Sequence, residues 1–315
     1  MKQVLILLGP TGVGKTGASI IIAKRLDTEI ISADSMQVYR GMDIGTAKPS
    51  PQELDAVRHH MISVADPSES FSAGRYLEMV VPIIERLHGL GKVPLIAGGT
   101  GLYIKAITRG IFSGPSADWG LRERLLALED ESPGSLCALL QEMDPEAAQR
   151  IERRDVRRIV RALEVCIRSN DRISRLQEML TRPLPYDFVK IGLARDRTEL
   201  YRIIDRRVDR MVAQGLEGEV KALLASHPDR TPLQAIGYKE FIACLQGGAP
   251  RDETISLIKR NSRRYAKRQF TWFRQEQGIR WIDITGMTFA EDIASAVLRV
   301  LADEYGLHPP GWKTS

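Results

Sequence analysis

Over 315 residues the chain has only three cysteines, Cys137, Cys166 and Cys244. They are odd in number, far apart and form no CxxC pair, and no Cys/His cluster has the spacing of zinc ligands. That argues against a disulfide framework and a structural zinc site, and the thiols read as buried or idle in a reducing compartment. The adjacent pair His59-His60 lacks further metal ligands at suitable spacing and reads as a surface or helix-end feature. No apolar run approaches the ~20 residues needed to span a bilayer. The run at 4–8 is too short for a signal-peptide core, and Gly9-Pro10 ends it. The expectation is a cytoplasmic protein with no membrane partner. Internal repeats and low-complexity tracts are absent. The formal net charge of +5 is small for this length. It allows a polyanionic partner without demanding one, so the placement of charge matters more than its sum.

What is present is an ordinary globular composition, 43% hydrophobic and 27% charged, long enough for about two domains at roughly 150 residues each. The continuous apolar run 4–8 suits a parallel strand buried on both faces. A Gly-rich turn follows, then a helix over 15–26. Residues 29–32 and 93–97 read as further strands, the second preceded by a helical pattern over 73–90. This alternation predicts an α/β domain with a parallel sheet. From 119 to about 182 no strand candidate occurs. Leu121, Leu125 and Leu128 recur at helical spacing, as do Ile159, Leu163 and Cys166, with breaks at Ser132-Pro133-Gly134 and Asp144-Pro145. The stretch 118–185 is expected to be an all-helical insertion between two parts of a catalytic core, 1–117 and 186–315. A strand over 189–194 returns to the sheet. Helices follow over 199–225 (with Gly215 as a possible break), 232–246 and 252–275, then a strand over 281–284 and a helix over 290–304. The tail from Gly306 reads as frayed.

Residues Gly9, Pro10, Thr11, Gly12, Val13, Gly14, Lys15 and Thr16 fit G-x-x-x-x-G-K-[ST], with a buried strand before and a helix after. Glycines let backbone N–H groups turn inward around phosphate oxygens. The helix N-terminus adds its positive end, Lys15 a mobile charge, and the Thr16 hydroxyl a ligand for Mg²⁺. The fold class this implies is a P-loop NTPase-like parallel sheet flanked by helices. The motif indicates polyphosphate binding without choosing between ATP and a diphosphate ester. A phosphoryl-transfer enzyme of this class usually carries an acid at the end of another strand, yet the run 93–97 ends in Gly98-Gly-Thr-Gly101. Asp34, after the second strand, is the carboxylate best placed to face the cradle. On the residues alone it is open as a ligand to metal-bound water, a general base or a helix N-cap.

The phosphate motif, Asp34-Ser-Met-Gln-Val-Tyr39, Gly41-Met-Asp-Ile-Gly-Thr-Ala-Lys-Pro49 and Gly98-Gly-Thr-Gly-Leu-Tyr103 occur together and in order. Later come Arg158-Ile-Val-Arg-Ala-Leu-Glu164, Ala235-Ile-Gly-Tyr238 and Lys267-Arg-Gln-Phe-Thr-Trp272. The set resembles the tRNA dimethylallyltransferases (tRNA isopentenyltransferases), in their compact bacterial type, over nearly the whole chain. The resemblance implies attack by the exocyclic amine of the adenine at tRNA position 37 on C1 of dimethylallyl diphosphate. Diphosphate then leaves into the Gly-rich loop, with Mg²⁺ as cofactor. It also implies Asp34 as general base, Thr100 near the acceptor nucleotide, and Arg207 as a further diphosphate ligand, with its neighbour Arg206 as the alternative. Ser35, Met36 and Gln37 are implied as tRNA contacts beside the base, with Arg122, Arg157, Arg158, Ile159, Val160 and Arg161 in the insertion.

Charge is uneven along the chain. No acid occurs from 254 to 275, where Lys259, Arg260, Arg263, Arg264, Lys267, Arg268 and Arg274 fall. On a helix 259, 263 and 267 share a face, with Ile258, Tyr265 and Trp272 on another, so Arg263 and Lys267 are expected to meet RNA phosphates. The arginines between 150 and 161 form a second basic region, and together the two would grip the anticodon stem-loop. Further readings are a prenyltransferase acting on free adenine nucleotides, a P-loop small-molecule kinase, and a nucleotide-gated RNA-binding protein without catalysis. A monomer is expected.

Overall fold

The computed structural model describes residues 2–112 and 114–308. The apolar run near the start forms β1 (Gln3–Leu8), all but its first residue buried. It lies in a sheet with β2 (Ile30–Ala33), β3 (His59–His60), β4 (Leu95–Gly98), β5 (Asp187–Ala194) and β6 (Ile279–Asp283). The order is β3-β2-β4-β1-β5-β6, and every pairing is parallel. A strand flanked on both sides and covered on both faces has no solvent side, which is why β1 reads as a continuous apolar run. The register aligns the strand ends that matter. Leu8 stands beside Gly98 and Gly192, and Ala33 beside Gly98. The segments after β1, β2 and β4 therefore leave the sheet at one edge, as a parallel α/β sheet requires of a ligand site.

The first part of the sheet unit carries α1 (Lys15–Arg25), α2 (Pro51–Ala56), α3 (Ala73–Gly89) and the start of α4 (Gly101–Arg109). Contacts divide the chain into residues 1–104 with 185–315, and 105–184. Within the second unit lie α5 (Trp119–Glu131), α6 (Ser135–Met143), α7 (Pro145–Arg150), α8 (Val156–Ser169) and α9 (Ile173–Leu180). No strand occurs among its described residues. Its core joins Leu121 and Leu125 to Leu136, Leu140, Ile159 and Leu163. The Asp144-Pro145 break is a cap: the buried Asp144 carboxylate accepts from Ala147 N at 3.0 Å and from Ser174 N and Oγ at 2.8 Å.

The last six helices are α10 (Arg197–Ala213), α11 (Leu216–Ala225), α12 (Arg230–Leu233), α13 (Tyr238–Leu245), α14 (Arg251–Arg274) and α15 (Ala290–Tyr305). Gly215, at φ 99°, makes the expected break between α10 and α11. Several expectations are corrected. The helix expected over 232–246 is two, parted at Gly237 with φ 96°. α4 and the short edge strand β3 have no counterpart in the sequence reading. His59 and His60 sit in that strand, not at a helix end, and His60 Nε2 pairs with Glu29 at 2.5 Å. The chain is not frayed at Gly306, which closes α15 at φ 64°. Leu307 N donates to Leu301 O, and its side chain is buried. Residues 309–315 lie outside those described.

Candidate active site

The glycine loop after β1 turns as its composition requires. Gly12 and Gly14 hold φ of 79° and 111°, where a side chain is strained. Gly14 is the N-cap of α1, so the free N–H groups of the first helical turn face the loop. Lys15 Nζ donates to Gly9 O and Pro10 O, both at 2.8 Å. Burial and the Arg207 charge push the Lys15 ammonium down to about 7, against the opposing pull of Asp34. An anion bound in the loop would attract the ammonium and so offset both causes.

Three cations, Lys15, Arg207 and Arg210, line one cavity of about 320 Å³ with one carboxylate, Asp34. Thr16, Gln37, Gly98, Gly99, Tyr265 and Gln269 line it too, with Ile62 and Ile203 as apolar wall. Phosphate cradle and carboxylate thus share one space. Asp34 Oδ1 accepts from Met36 N at 2.9 Å and Gln37 N at 3.3 Å. It does cap the following turn, but with one oxygen only. Thr100 Oγ1 accepts from Ser35 N at 3.0 Å, and Thr100 N donates to Ala33 O. Thr100 therefore ties the end of β4 to the end of β2 beside Asp34. Tyr265, whose phenol burial and Asp34 push upward, bonds Thr100 from the far side.

Arg207, not Arg206, turns inward: Arg206 is exposed, whereas Arg207 Nη1 donates to Thr11 Oγ1 at 3.3 Å and Nη2 to Thr46 O at 3.4 Å. Burial lowers its guanidinium from the ordinary value, opposed by Asp34, but an arginine stays charged. Thr46 belongs to the Gly41–Pro49 motif, which the structure explains as a pinned loop. Glu219 of α11 accepts from the N–H groups of Asp43, Ile44 and Gly45 at 2.8 to 2.9 Å and from Tyr238 Oη at 2.5 Å. Lys48 Nζ donates to Tyr39 O, Asp43 Oδ1 and Ser63 Oγ.

Gln269, Arg210 and Glu219 were not singled out from the sequence, and Tyr265 was read only as part of the helix face away from the basic one. Gln269 had a signal: it falls in register with the buried Ala266 and Phe273 on an otherwise apolar helix face. A polar residue at a core position of a helix asks for buried partners. The insertion residues divide. Arg157 is exposed, and Arg158 is exposed while pairing with Asp155. Arg122 and Arg161 are both engaged by the fully buried Glu164. Ile159 and Val160 have their side chains buried in the helical core. On α14, Arg263 pairs with Asp205 at 2.5 Å and Lys259 with Asp209 at 2.6 Å, while Lys267, Arg260, Arg264 and Arg268 are exposed.

Known proteins place this geometry. The family model described as IPP transferase matches residues 37–276. A tRNA dimethylallyltransferase of Thermodesulfovibrio yellowstonii is 51% identical over 96% of this chain and 98% of its own. One from Symbiobacterium thermophilum is 44% identical over 96% and 95%. Among solved structures, the full-length tRNA isopentenylpyrophosphate transferase of Bacillus halodurans superimposes with a TM-score of 0.71 at 41% identity, covering 98% of this chain and 99% of that one. A eukaryotic dimethylallyltransferase solved acting on tRNA gives 0.77 at 29% identity, over 96% and 78%. With a P-loop-like parallel sheet, a cationic cradle and near full-length identity of this order, the chain belongs to the IPP transferase family, the tRNA dimethylallyltransferases.

Proposed function

We propose that this enzyme transfers the dimethylallyl group of dimethylallyl diphosphate to N6 of the adenine at position 37 of tRNA, beside the anticodon. The observation that carries the reading is the shared cavity, with a three-cation phosphate cradle and the Asp34 carboxylate facing one space. The charge balance suits a diphosphate ester, and Ile62 and Ile203 suit its hydrocarbon end. In the reaction the C1–O bond breaks, the N6–C1 bond forms, and the N6 proton goes to Asp34. Oδ1 is held by two backbone N–H groups, which leaves Oδ2 to aim at the amine. An aryl amine is a poor nucleophile, so orientation and proton removal both contribute. Thr100 fixes the turn that carries Asp34. Lys15, Arg207 and the N–H groups of residues 12–16 receive the departing diphosphate, a preorganised set that costs no rearrangement at the transition state.

Among the described residues no group of three or more His, Cys, Asp or Glu could hold a metal. The Thr16 hydroxyl nonetheless fits Mg²⁺, which takes few protein ligands and fills the rest with phosphate oxygens and water. When bound, the ion neutralises charge on the leaving diphosphate. The loop is assigned to the prenyl donor; the alternative of ATP there predicts phosphate transfer.

The target base must leave its stack to reach Asp34. We assign the anticodon stem-loop to the exposed residues of α14, with Lys267 among them, to Ser35, Met36 and Gln37, and to the helical unit through Arg157 and Arg158. The enzyme is read as a cytoplasmic monomer; no described helix is long and apolar enough to cross a membrane. The test is incubation of the purified protein with labelled dimethylallyl diphosphate and unmodified tRNA, followed by nucleoside analysis. Label in N6-dimethylallyladenosine of tRNA is the expected outcome. Label in AMP, phosphate transfer from ATP, or no product refutes it.

A further inference from the structure

The cavity is bounded by a closed circuit of hydrogen bonds. Gln37 N donates to Asp34 Oδ1, and Gln37 Nε2 to Thr46 O at 3.3 Å. Arg207 donates to Thr46 O and to Thr11 Oγ1. Thr11 N donates to Gln269 Oε1 at 2.8 Å, and Gln269 Nε2 to Gly99 O at 2.8 Å. Gly99 precedes Thr100, whose Oγ1 accepts from Ser35 N, next to Asp34. The circuit thus runs from the carboxylate through the pinned loop, the phosphate loop and α14 back to the carboxylate.

One link differs from the rest. Among the described residues, Gln269 is the side chain that hydrogen-bonds both the phosphate loop and the β4–α4 turn, through the two ends of a single amide. Its orientation is dictated by its partners, since the reverse setting would face N–H to N–H and carbonyl to carbonyl. The side chain is 7% exposed. It fits only because residue 99 is glycine: a Cβ there would lie 2.4 Å from Gln269 Nε2. Two backbone groups, the part-buried Thr11 N–H and the buried Gly99 C=O, are paired by this amide, and a buried polar group left unpaired is costly.

We propose that Gln269 is a positioning residue that holds the leaving-group half of the site in register with the acceptor half. The cradle does not need it to form, since Lys15 closes the loop onto Gly9 O and Pro10 O and Gly14 starts α1. What Gln269 sets is the spacing between that cradle and the Asp34–Thr100 turn. In-line displacement is sensitive to such spacing: a misplacement of about 1 Å costs about a hundredfold in rate. Gln269 therefore governs turnover more than donor binding.

This rests on the proposed prenyl transfer, and the test separates the two. Gln269→Leu removes both bonds at similar length. Gln269→Glu keeps an acceptor for Thr11 N–H but sets a carboxylate oxygen against Gly99 O. For both, kcat on tRNA with saturating dimethylallyl diphosphate is expected to fall about 10- to 100-fold. The affinity of Gln269→Leu for inorganic diphosphate, measured by calorimetry on the full chain, is expected to stay within about threefold, whereas Gln269→Glu sets a negative charge on the cavity wall and is compared by kcat alone. Two results overturn the inference: kcat within about twofold of the parent in both variants, or kcat and diphosphate affinity lost together in folded Gln269→Leu. A parent enzyme that prenylates no tRNA sinks the functional reading instead, whatever the variants do.

Discussion

Replacing Glu164 with alanine should loosen the helical unit while leaving the sheet intact. The Glu164 carboxylate is fully buried. It accepts from Asp118 N at 2.7 Å, from Arg122 Nε at 2.9 Å and Nη2 at 2.8 Å, and from Arg161. Removing it leaves two guanidinium groups and a backbone N–H converging on a space with no counter-charge. Breaking a buried ion pair from one side costs about 3–5 kcal/mol. The Arg122 and Arg161 side chains remain 23% and 35% exposed, so water can take up part of the loss, and the lower end, about 3 kcal/mol, is the expected value. That is roughly a hundredfold in an opening equilibrium. Native-state hydrogen exchange reads it directly: amides of α8 should exchange about a hundredfold faster, and those of β1 and β4 at unchanged rates. The reasoning fails if α8 changes by less than about threefold, or if the strands accelerate equally.

The same group gives a signed pH dependence. Burial pushes the Glu164 carboxyl up, but the bonds from Arg122, the Asp118 N–H and Arg161 outweigh it and hold it below the ordinary 4.5. A carboxyl lowered in the folded state contributes stability above its unfolded value and loses it as pH falls through the folded one. Protection of α8 in the parent should therefore decline on acidification below 4.5. The alanine variant should lack that component, so the gap between the two proteins should narrow as pH falls.

Asp34→Asn keeps the Oδ1 acceptor for Met36 N and Gln37 N but removes the base, so kcat should fall about 10²- to 10⁴-fold with tRNA affinity nearly unchanged; a parallel loss of tRNA binding in a filter assay would make Asp34 structural. Lys267→Glu should weaken tRNA binding and lower the slope of log affinity against log salt by about one, with unchanged binding moving the RNA footprint off α14. Arg263→Glu, which breaks the pair with Asp205, should raise the KM for dimethylallyl diphosphate more than the Kd for tRNA, and the opposite ranking returns Arg263 to the RNA face. Glu219→Gln keeps a hydrogen-bonding shape but removes the charge gathering three N–H groups; limited proteolysis should cut the 41–49 loop faster, and unchanged resistance refutes its role as the loop's anchor.

The phosphate loop and Asp34 were legible because each carries its geometry in a few neighbouring residues. A glycine pattern between a buried strand and a helix is a local object, and the sheet register then brings the end of β2 to the same edge. Gln269 and Glu219 were not legible, because the backbone groups they pair with lie 170 and 174 residues or more away in sequence. No local pattern in α14 says that its one buried amide ends on Gly99. The helix after Gly98-Gly-Thr-Gly101 was missed because glycines argue against a helix start. In the structure they are needed for close approach, a Cβ on Gly101 falling 2.4 Å from the Trp272 ring. The division of 232–246 escaped for the opposite reason, a single Gly237 inside a pattern that otherwise continues.

The basic residues show most clearly what charge counting leaves out. In the sequence, Lys259, Arg263 and Lys267 form one cationic stripe. In the fold, the first two meet Asp209 and Asp205 of α10, and only the third faces solvent without an acid partner among the described residues. Those pairings brace α14 against the helix that carries Arg207. Arg207 and Gln269 then reach the same residue, Thr11, from the two braced helices, one at its hydroxyl and the other at its N–H. Exposed ion pairs add little stability on their own. Two of them in one helix seam can still fix a spacing, and here that spacing sets where the phosphate loop stands. α14 therefore serves two ends with two faces: exposed cations outward for a polyanion, and an amide and a phenol inward for the reacting centre.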